Sequence, residues 1–229
     1  MDKIINFFTT AEGAWGDGSV KLTSIGVILV AICILALVIV PVITSKKNPK
    51  SKSKLTTKQL TYSAVSLALA MVCSMIKFAN LPMGGSCTLC SMLFIALIGN
   101  WYGPYVGLTT GLAYGLLQFI IEPIFYTLPQ MLIDYPLAFG ALGLSGFFAG
   151  KKYGLQTGYI TGVIGRYIFT VISGVIFFGS YAPEGTPAII YSLGYNATYI
   201  IPEAAITLII ISTPAVSKAL HTVKKNALS

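Results

Sequence analysis

Charge is what this sequence has least of. Charged residues fill 10% of its 229 positions, where soluble proteins carry about a quarter, so a water-soluble domain is excluded. Histidine occurs once, as His221 in the polar tail, which removes histidine-based catalysis and haem ligation. Four cysteines are scattered at Cys33, Cys73, Cys87 and Cys90. Cys87-x-x-Cys90 stands without a second pair or ligating histidines, so it reads as packing and not as a zinc site. The chain has no G-x-x-x-x-G-K-[ST] phosphate loop, hence no ATPase motor of its own. No set of paired acids, histidines or an activated serine stands out for an intramembrane enzyme. A self-sufficient secondary transporter would need several intramembrane ionisable sites and often an internal repeat, and neither is prominent. No metal and no cofactor are expected.

What is present is apolar sequence in long runs. Hydrophobic residues make up 55% of the chain, and the runs are continuous instead of alternating with period two. In lipid every backbone polar group must be paired internally, so such runs become helices. The expected fold is an all-α integral membrane bundle. Leu22–Thr44 reads as an anchor helix, too far in and too long for a cleaved signal peptide. A Ser/Lys-rich linker follows at 45–58. Six further spans are expected near 59–78, 87–100, 104–121, 131–150, 155–179 and 195–215, the second of them short. The division is therefore 1–58, an outer segment with the anchor helix and basic linker, and 59–229, a six-helix core with a short tail.

The net charge of +8 is concentrated. Lys46, Lys47, Lys50, Lys52, Lys54 and Lys58 form one cluster, Lys151 and Lys152 a second, and Lys218, Lys224 and Lys225 a third. Each borders an apolar run, as cytoplasmic loops do, and contact with anionic lipid headgroups suits them better than nucleic acid. With the linker inside, the N-terminus is outside and the C-terminus cytoplasmic. Asp2, Glu12, Asp17, Glu122, Asp134 and Glu184 then fall on or near the outer side.

Polar and aromatic residues gather at that outer side. They include Gly84, Gly85 and Ser86, then Glu122, Tyr126, Gln130, Asp134 and Tyr135, then Phe178, Tyr181, Tyr191, Tyr195 and Asn196. Tyrosines and phenylalanines alone could form an interfacial belt. Together with Asp134 and Asn196 they read as a pocket for a small, flat, cationic molecule, since ring faces attract cations and a carboxylate orients donors. Two charges lie deeper, Arg166 and Glu203. A charge at the bilayer centre costs roughly 2.5–3.5 kcal/mol or more, so the two are expected to pair, with Asp134 as the other partner open to Arg166. Glycines at 103, 107, 111 and 115, and at 140, 143, 146 and 150, read as close-approach faces, as do Ala64 and Ala68.

Four stretches carry a resemblance: Leu81–Leu89 (LPMGGSCTL), Pro129–Phe139 (PQMLIDYPLAF), Ser173–Gly185 (SGVIFFGSYAPEG) and Tyr191–Glu203 (YSLGYNATYIIPE). In order and spacing they resemble the thiamine-specific substrate-binding subunits of energy-coupling-factor (ECF) vitamin transporters. The resemblance covers essentially all of 59–215, and the leading helix and lysine linker are extra to it. It implies a six-helix subunit in the cell membrane that captures thiamine from outside. Its partners would be a transmembrane coupling subunit and two ATPases. It also implies that Asp134 contacts the aminopyrimidine ring with Tyr135 beside it, and that Tyr191 and Asn196 contact the ligand. Phe178 would pack on the ligand one turn after Gly174, and Ala64-x-x-x-Ala68 would dock the coupling subunit. Thr170 stands where the family carries histidine, and Ser86 about where some members carry tryptophan. A related pyrimidine-containing ligand is the alternative those two positions raise.

Overall fold

The computed structural model describes residues 55–229, together with Thr9, Thr10, Lys21, Leu22, Ser24 and Ile28. Thr9–Thr10 (β1) pairs antiparallel with Lys21–Leu22 (β2), and Ser24 and Ile28 are helical. The rest of the expected anchor helix and the linker as far as residue 54 lie outside the described residues.

The core begins two residues inside the expected linker. Thr56 caps helix α1 (Thr57–Met75) with a reciprocal box: its hydroxyl accepts from Gln59 N at 3.2 Å, and its own N–H donates to Gln59 Oε1 at 3.0 Å. Such a box satisfies two otherwise orphaned amides. A short antiparallel hairpin follows, β3 (Lys77–Asn80) and β4 (Ser86–Thr88). Then come α2 (Ser91–Tyr102), α3 (Pro104–Ile121), α4 (Leu128–Phe148), α5 (Gly154–Phe177), α6 (Ala188–Ser212) and α7 (Pro214–Leu228).

Helices α1 to α6 correspond in order to the six expected spans, with corrections. Four of them, α3 to α6, are long and apolar enough to cross a bilayer. The α2 helix has 12 residues, or about 18 Å at 1.5 Å per residue, well short of a hydrocarbon core of about 30 Å. Four residues expected in it are hairpin and turn instead. Ten of its residues are buried, so it is the axis on which α1, α3, α4 and α5 pack. Met92, Ile95, Ala96 and Ile98 are sealed at 0% exposure. Outward faces are apolar, with Val65, Leu69 and Val72 on α1, Ile160, Ile164 and Ile168 on α5, and Ile201 and Ile209 on α6.

The expected polar tail is itself the helix α7. Leu220 and Ala227 pack on the core, the Tyr102 hydroxyl donates to Ala227 O at 3.0 Å, and Lys224 Nζ donates to Asn100 Oδ1 at 2.8 Å. Burial lowers the proton affinity of Lys224 below that of an ordinary lysine.

Between α3 and α4 the helices meet on glycine. A Cβ at Gly107 would stand 2.9 Å from Gly143 Cα, and one at Gly111 2.9 Å from Gly140 Cα. The outer two glycines of the expected stripes are different. Gly103 and Gly150 have φ of +95° and +77°, and a Cβ at either would meet nothing within 4 Å, so they serve turns. Gly103 reverses the chain between α2 and α3 in one residue, with Pro104 starting the next helix, as suits a glycine after one helix and a proline opening another. Along α4, Pro136 has no N–H for the helical ladder, and a widened π turn over Ile133–Leu137 absorbs it. Tight 3-10 turns continue over Ala141–Phe148.

Gly107→Val should drive a side chain into the α4 backbone and lower stability by about 1–3 kcal/mol. Gly194→Ala, which meets nothing within 4 Å, should not lower it. Thermal unfolding in detergent compares the two.

Candidate functional site

At the bundle end where α1, α3 and α5 finish and α4 and α6 begin, the helices and the β3–β4 loop enclose a cavity of about 270 Å³. That is near the lower end of the range for small-molecule sites. The Lys151–Lys152 turn and α7 lie at the opposite end.

Asp134 enters the cavity wall from the widened turn of α4. Such turns recur where a helix must aim a functional side chain off its regular path. Gln130, only 1% exposed, holds it: Nε2 donates to Asp134 Oδ2 at 2.7 Å and to Ile124 O at 3.2 Å. Gln130 Oε1 accepts from Tyr126 N at 3.1 Å. One amide therefore fixes both the carboxylate and the incoming loop. Tyr135 spends its hydroxyl on the same loop, donating to Glu122 O at 2.7 Å and accepting from Ile124 N at 2.9 Å. Its ring is what remains to face the cavity.

The opposite wall is α6. Tyr191, Tyr195 and Tyr199, spaced four apart, share one helix face. Tyr191 and Tyr195 stack at 6.1 Å, and Tyr195 meets Tyr199 edge-on at 5.9 Å. Tyr195 reaches the β3–β4 loop, donating to Pro82 O and accepting from Gly85 N. Asn196 joins α5 to α6: Nδ2 donates to Ser192 O at 2.9 Å and Thr170 O at 3.3 Å, and Oδ1 accepts from the Tyr199 hydroxyl at 2.6 Å. Gly174 permits this closeness, since a Cβ there would lie 3.0 Å from Ser192 Cβ.

Among the expected site residues, Ser86, Asp134, Tyr135, Thr170, Gly174, Phe178, Tyr191 and Asn196 line the cavity. Tyr126 stands behind, its ring edge-on to Phe178 at 5.2 Å and its hydroxyl 3.3 Å from that of Tyr181. That hydrogen bond, with burial, raises the Tyr126 phenol above its ordinary pKa. The cavity also takes in Gln118, Phe139 and Tyr199, which sequence reasoning left out. The four-residue step from Tyr195 was the available signal for Tyr199.

The expected pairing of Arg166 with Glu203 is not formed, nor is one with Asp134. Among the described residues the one salt bridge joins Lys77 of β3 to Glu122, which lines the cavity. Arg166 lines the cavity, its guanidinium 4.1 Å from the Phe139 ring centre and its buried Nε without a hydrogen-bond partner. Glu203 points instead to the start of α2. Its carboxylate accepts from Thr88 Oγ1 at 2.7 Å, Ser91 Oγ at 3.0 Å, and the N–H groups of Thr88 and Met92 at 3.3 Å each. A helix N-terminus offers unpaired amides and a positive dipole end, which satisfy a buried carboxylate without an arginine.

Gln130→Ala should leave Asp134 without its donor and cost about 1–3 kcal/mol. The check is thermal unfolding of the purified chain beside Gln130→Glu, which sets a second carboxylate there and should cost more.

The model of the family described as thiamine transporter protein matches residues 60–222. The thiamine transporter ThiT of Bacillus subtilis is 41% identical over 164 residues, 65% of this chain and 85% of that protein. ThiT of Lacticaseibacillus paracasei is 28% identical over 134 residues, 51% of this chain and 67% of that protein. A solved structure of ThiT from Listeria monocytogenes superposes with a TM-score of 0.61 at 27% identity, covering 75% of this chain and 97% of the other.

Proposed function

Because this chain belongs to the thiamine transporter protein family, we propose that its cavity binds thiamine and that the chain is the substrate-binding subunit of an ATP-driven ECF transporter. It is a mostly helical membrane protein with a transport role and not an enzyme. The observation that carries the ligand reading is the meeting of Asp134 with the Tyr191–Tyr195 stack and Phe178 around one small cavity. Thiamine has two ends to recognise. Its aminopyrimidine donates hydrogen bonds, which a carboxylate accepts at charge-assisted strength. Its thiazolium carries a fixed positive charge, which aromatic faces attract by about 0.5–2 kcal/mol each.

The polarity of the site sets the orientation of the ligand. Arg166 repels a cation, so the thiazolium lies away from it, against Phe178, Tyr191 and Tyr195. Asp134 takes the aminopyrimidine, with the Tyr135 ring beside it, while Asn196 holds α5 against the α6 wall. Thr170 and Ser86 are small side chains on the lining and leave room for the ligand.

The topology in this reading has α1 to α6 spanning as a six-helix core, with a further anchor helix over about 22–44, in the plasma membrane. Lys58, Lys151, Lys152, Lys218 and Lys225 lie at the end away from the cavity. The positive-inside rule makes that end cytoplasmic, so the cavity opens outward and the N-terminus is outside. The capture subunit needs a coupling subunit and two ATPases to deliver its ligand. Ala64 and Ala68 are exposed on α1 beside Leu60, Val65 and Leu69, a small-residue face suited to docking the coupling helix.

Calorimetric titration of the detergent-purified chain should give one-to-one thiamine binding, with riboflavin inert. Asp134→Ala should weaken it by tenfold to a hundredfold, the equivalent of about 1.5–3 kcal/mol for a hydrogen bond to a charged group. A folded sample that ignores thiamine but takes free hydroxymethyl-pyrimidine would reassign the ligand. For the coupling reading, Ala64→Trp with Ala68→Trp should abolish uptake into vesicles holding the ATPase partners while sparing thiamine affinity. Uptake by the chain alone would overturn that reading.

A further inference from the structure

Among the described residues, the β3–β4 loop brings Gly84, Gly85 and Ser86 to the cavity, two of them without a side chain. Gly84 and Gly85 can offer a ligand only backbone, so their usefulness depends on where that backbone is held. Two residues of α6 hold it. Tyr195 grips the tip through Pro82 O and Gly85 N. Glu203, two turns further on and 2% exposed, grips the root: both the hydroxyl and the N–H of Thr88, last residue of β4, end on Oε2.

Glu203 does more than a helix cap requires. Capping α2 takes only the bonds from Ser91 and Met92 on Oε1. The second oxygen is given to the strand. Tyr191, Tyr195, Tyr199 and Glu203 follow each other at four-residue steps, so one stripe of α6 forms the aromatic wall and, at its deep end, clamps the facing loop. The two sides of the cavity are thereby referred to one rigid element.

We propose that Glu203 is a positioning residue for ligand binding: by fixing Thr88 and the start of α2 to α6, it sets the distance between the Gly84–Ser86 backbone and the tyrosine wall. This rests on the thiamine-binding reading for its affinity consequence, though not for its structural one. Loss of the clamp removes the hold at the root of the loop and leaves the Tyr195 hydrogen bonds at its tip, so the Gly84–Ser86 backbone samples positions that do not meet the ligand.

The test uses the full chain in detergent with Glu203→Gln, which keeps the shape but replaces one of the two acceptor oxygens by a donor, so the Thr88 and Met92 N–H groups can no longer both be accepted. Thr88→Val weakens the same clamp from the loop side and serves if Glu203→Gln fails to fold. Tyr102→Phe, which loses a hydrogen bond at the far end, controls for general destabilisation. Hydrogen exchange of the ligand-free chain should show the amides of 85–88 exchanging about tenfold faster in Glu203→Gln and Thr88→Val, and unchanged in Tyr102→Phe. Thiamine dissociation should quicken by a similar factor in the first two variants only. Unchanged exchange in both clamp variants, or equal changes in Tyr102→Phe, would overturn the proposal. Faster exchange with unaltered thiamine affinity would overturn its consequence for the ligand. If the unaltered chain itself ignores thiamine, the functional reading falls and the exchange data still decide the clamp.

Discussion

A helix too short to cross the membrane must have its ends satisfied by protein, and the rest of this bundle is arranged around that requirement. The amides that open α2 and the carbonyls that close it lie among buried neighbours, with Ser91 at 2% and Asn100 at 3% exposure. Glu203 meets the first end and Lys224 the second, where it donates to the side chain and the main chain of Asn100. Each charge sits at the pole of the helix dipole that favours it. Carboxylate and ammonium never touch each other, and the α2 helix is the medium between them. The α6 and α7 helices, which supply the two charges, are consecutive in the chain and straddle the buried axis.

The cavity inherits its precision from this frame. Its walls are α4 and α6, and both are fixed by hydrogen bonds that leave few side chains free to adjust. Gln130 uses its amide to set Asp134, Tyr135 uses its hydroxyl to set the loop after α3, and Asn196 ties α5 to α6. Ordering these groups costs conformational entropy during folding, so less is lost when a ligand arrives. The apolar and aromatic surfaces remain for the ligand's cation, and the polar groups mostly hold the walls.

Much of this was legible in the sequence, for identifiable reasons. Helix order followed from apolar runs, and the gathering of Asp134, Phe178, Tyr191 and Asn196 followed from alternating topology. Glycine spacing gave away the α3–α4 contact. What escaped depended on direction around a helix or on neighbours far along the chain. Depth alone suggested Arg166 for Glu203, but the four-residue step from Tyr199 turns Glu203 toward Thr88. The α2 helix read as longer because Cys87, Thr88, Leu89 and Cys90 lead into it without a charge, a glycine or a proline. The α7 helix read as tail because its lysines outnumber the few residues, Leu220 and Ala227, that seat it. Gln118 escaped because it lies on a helix whose polar residues are few and unclustered.

The change of winding within α4 has a metrical consequence. Glycines 140, 143 and 146 are three apart in a stretch that passes into 3-10 turns, where the rise of about 2.0 Å per residue spaces them by roughly 6 Å. Glycines 107, 111 and 115 are four apart in an α-helix, where about 1.5 Å per residue again gives roughly 6 Å. Two sequences with different repeats thus carry rulers of equal pitch, and antiparallel they mesh, Gly107 with Gly143 and Gly111 with Gly140. Wound as an ordinary α-helix, the same α4 glycines would fall about 4.5 Å apart and drift out of step within one turn. The tight winding of α4 is therefore a gear ratio, matching a three-residue tooth to a four-residue one.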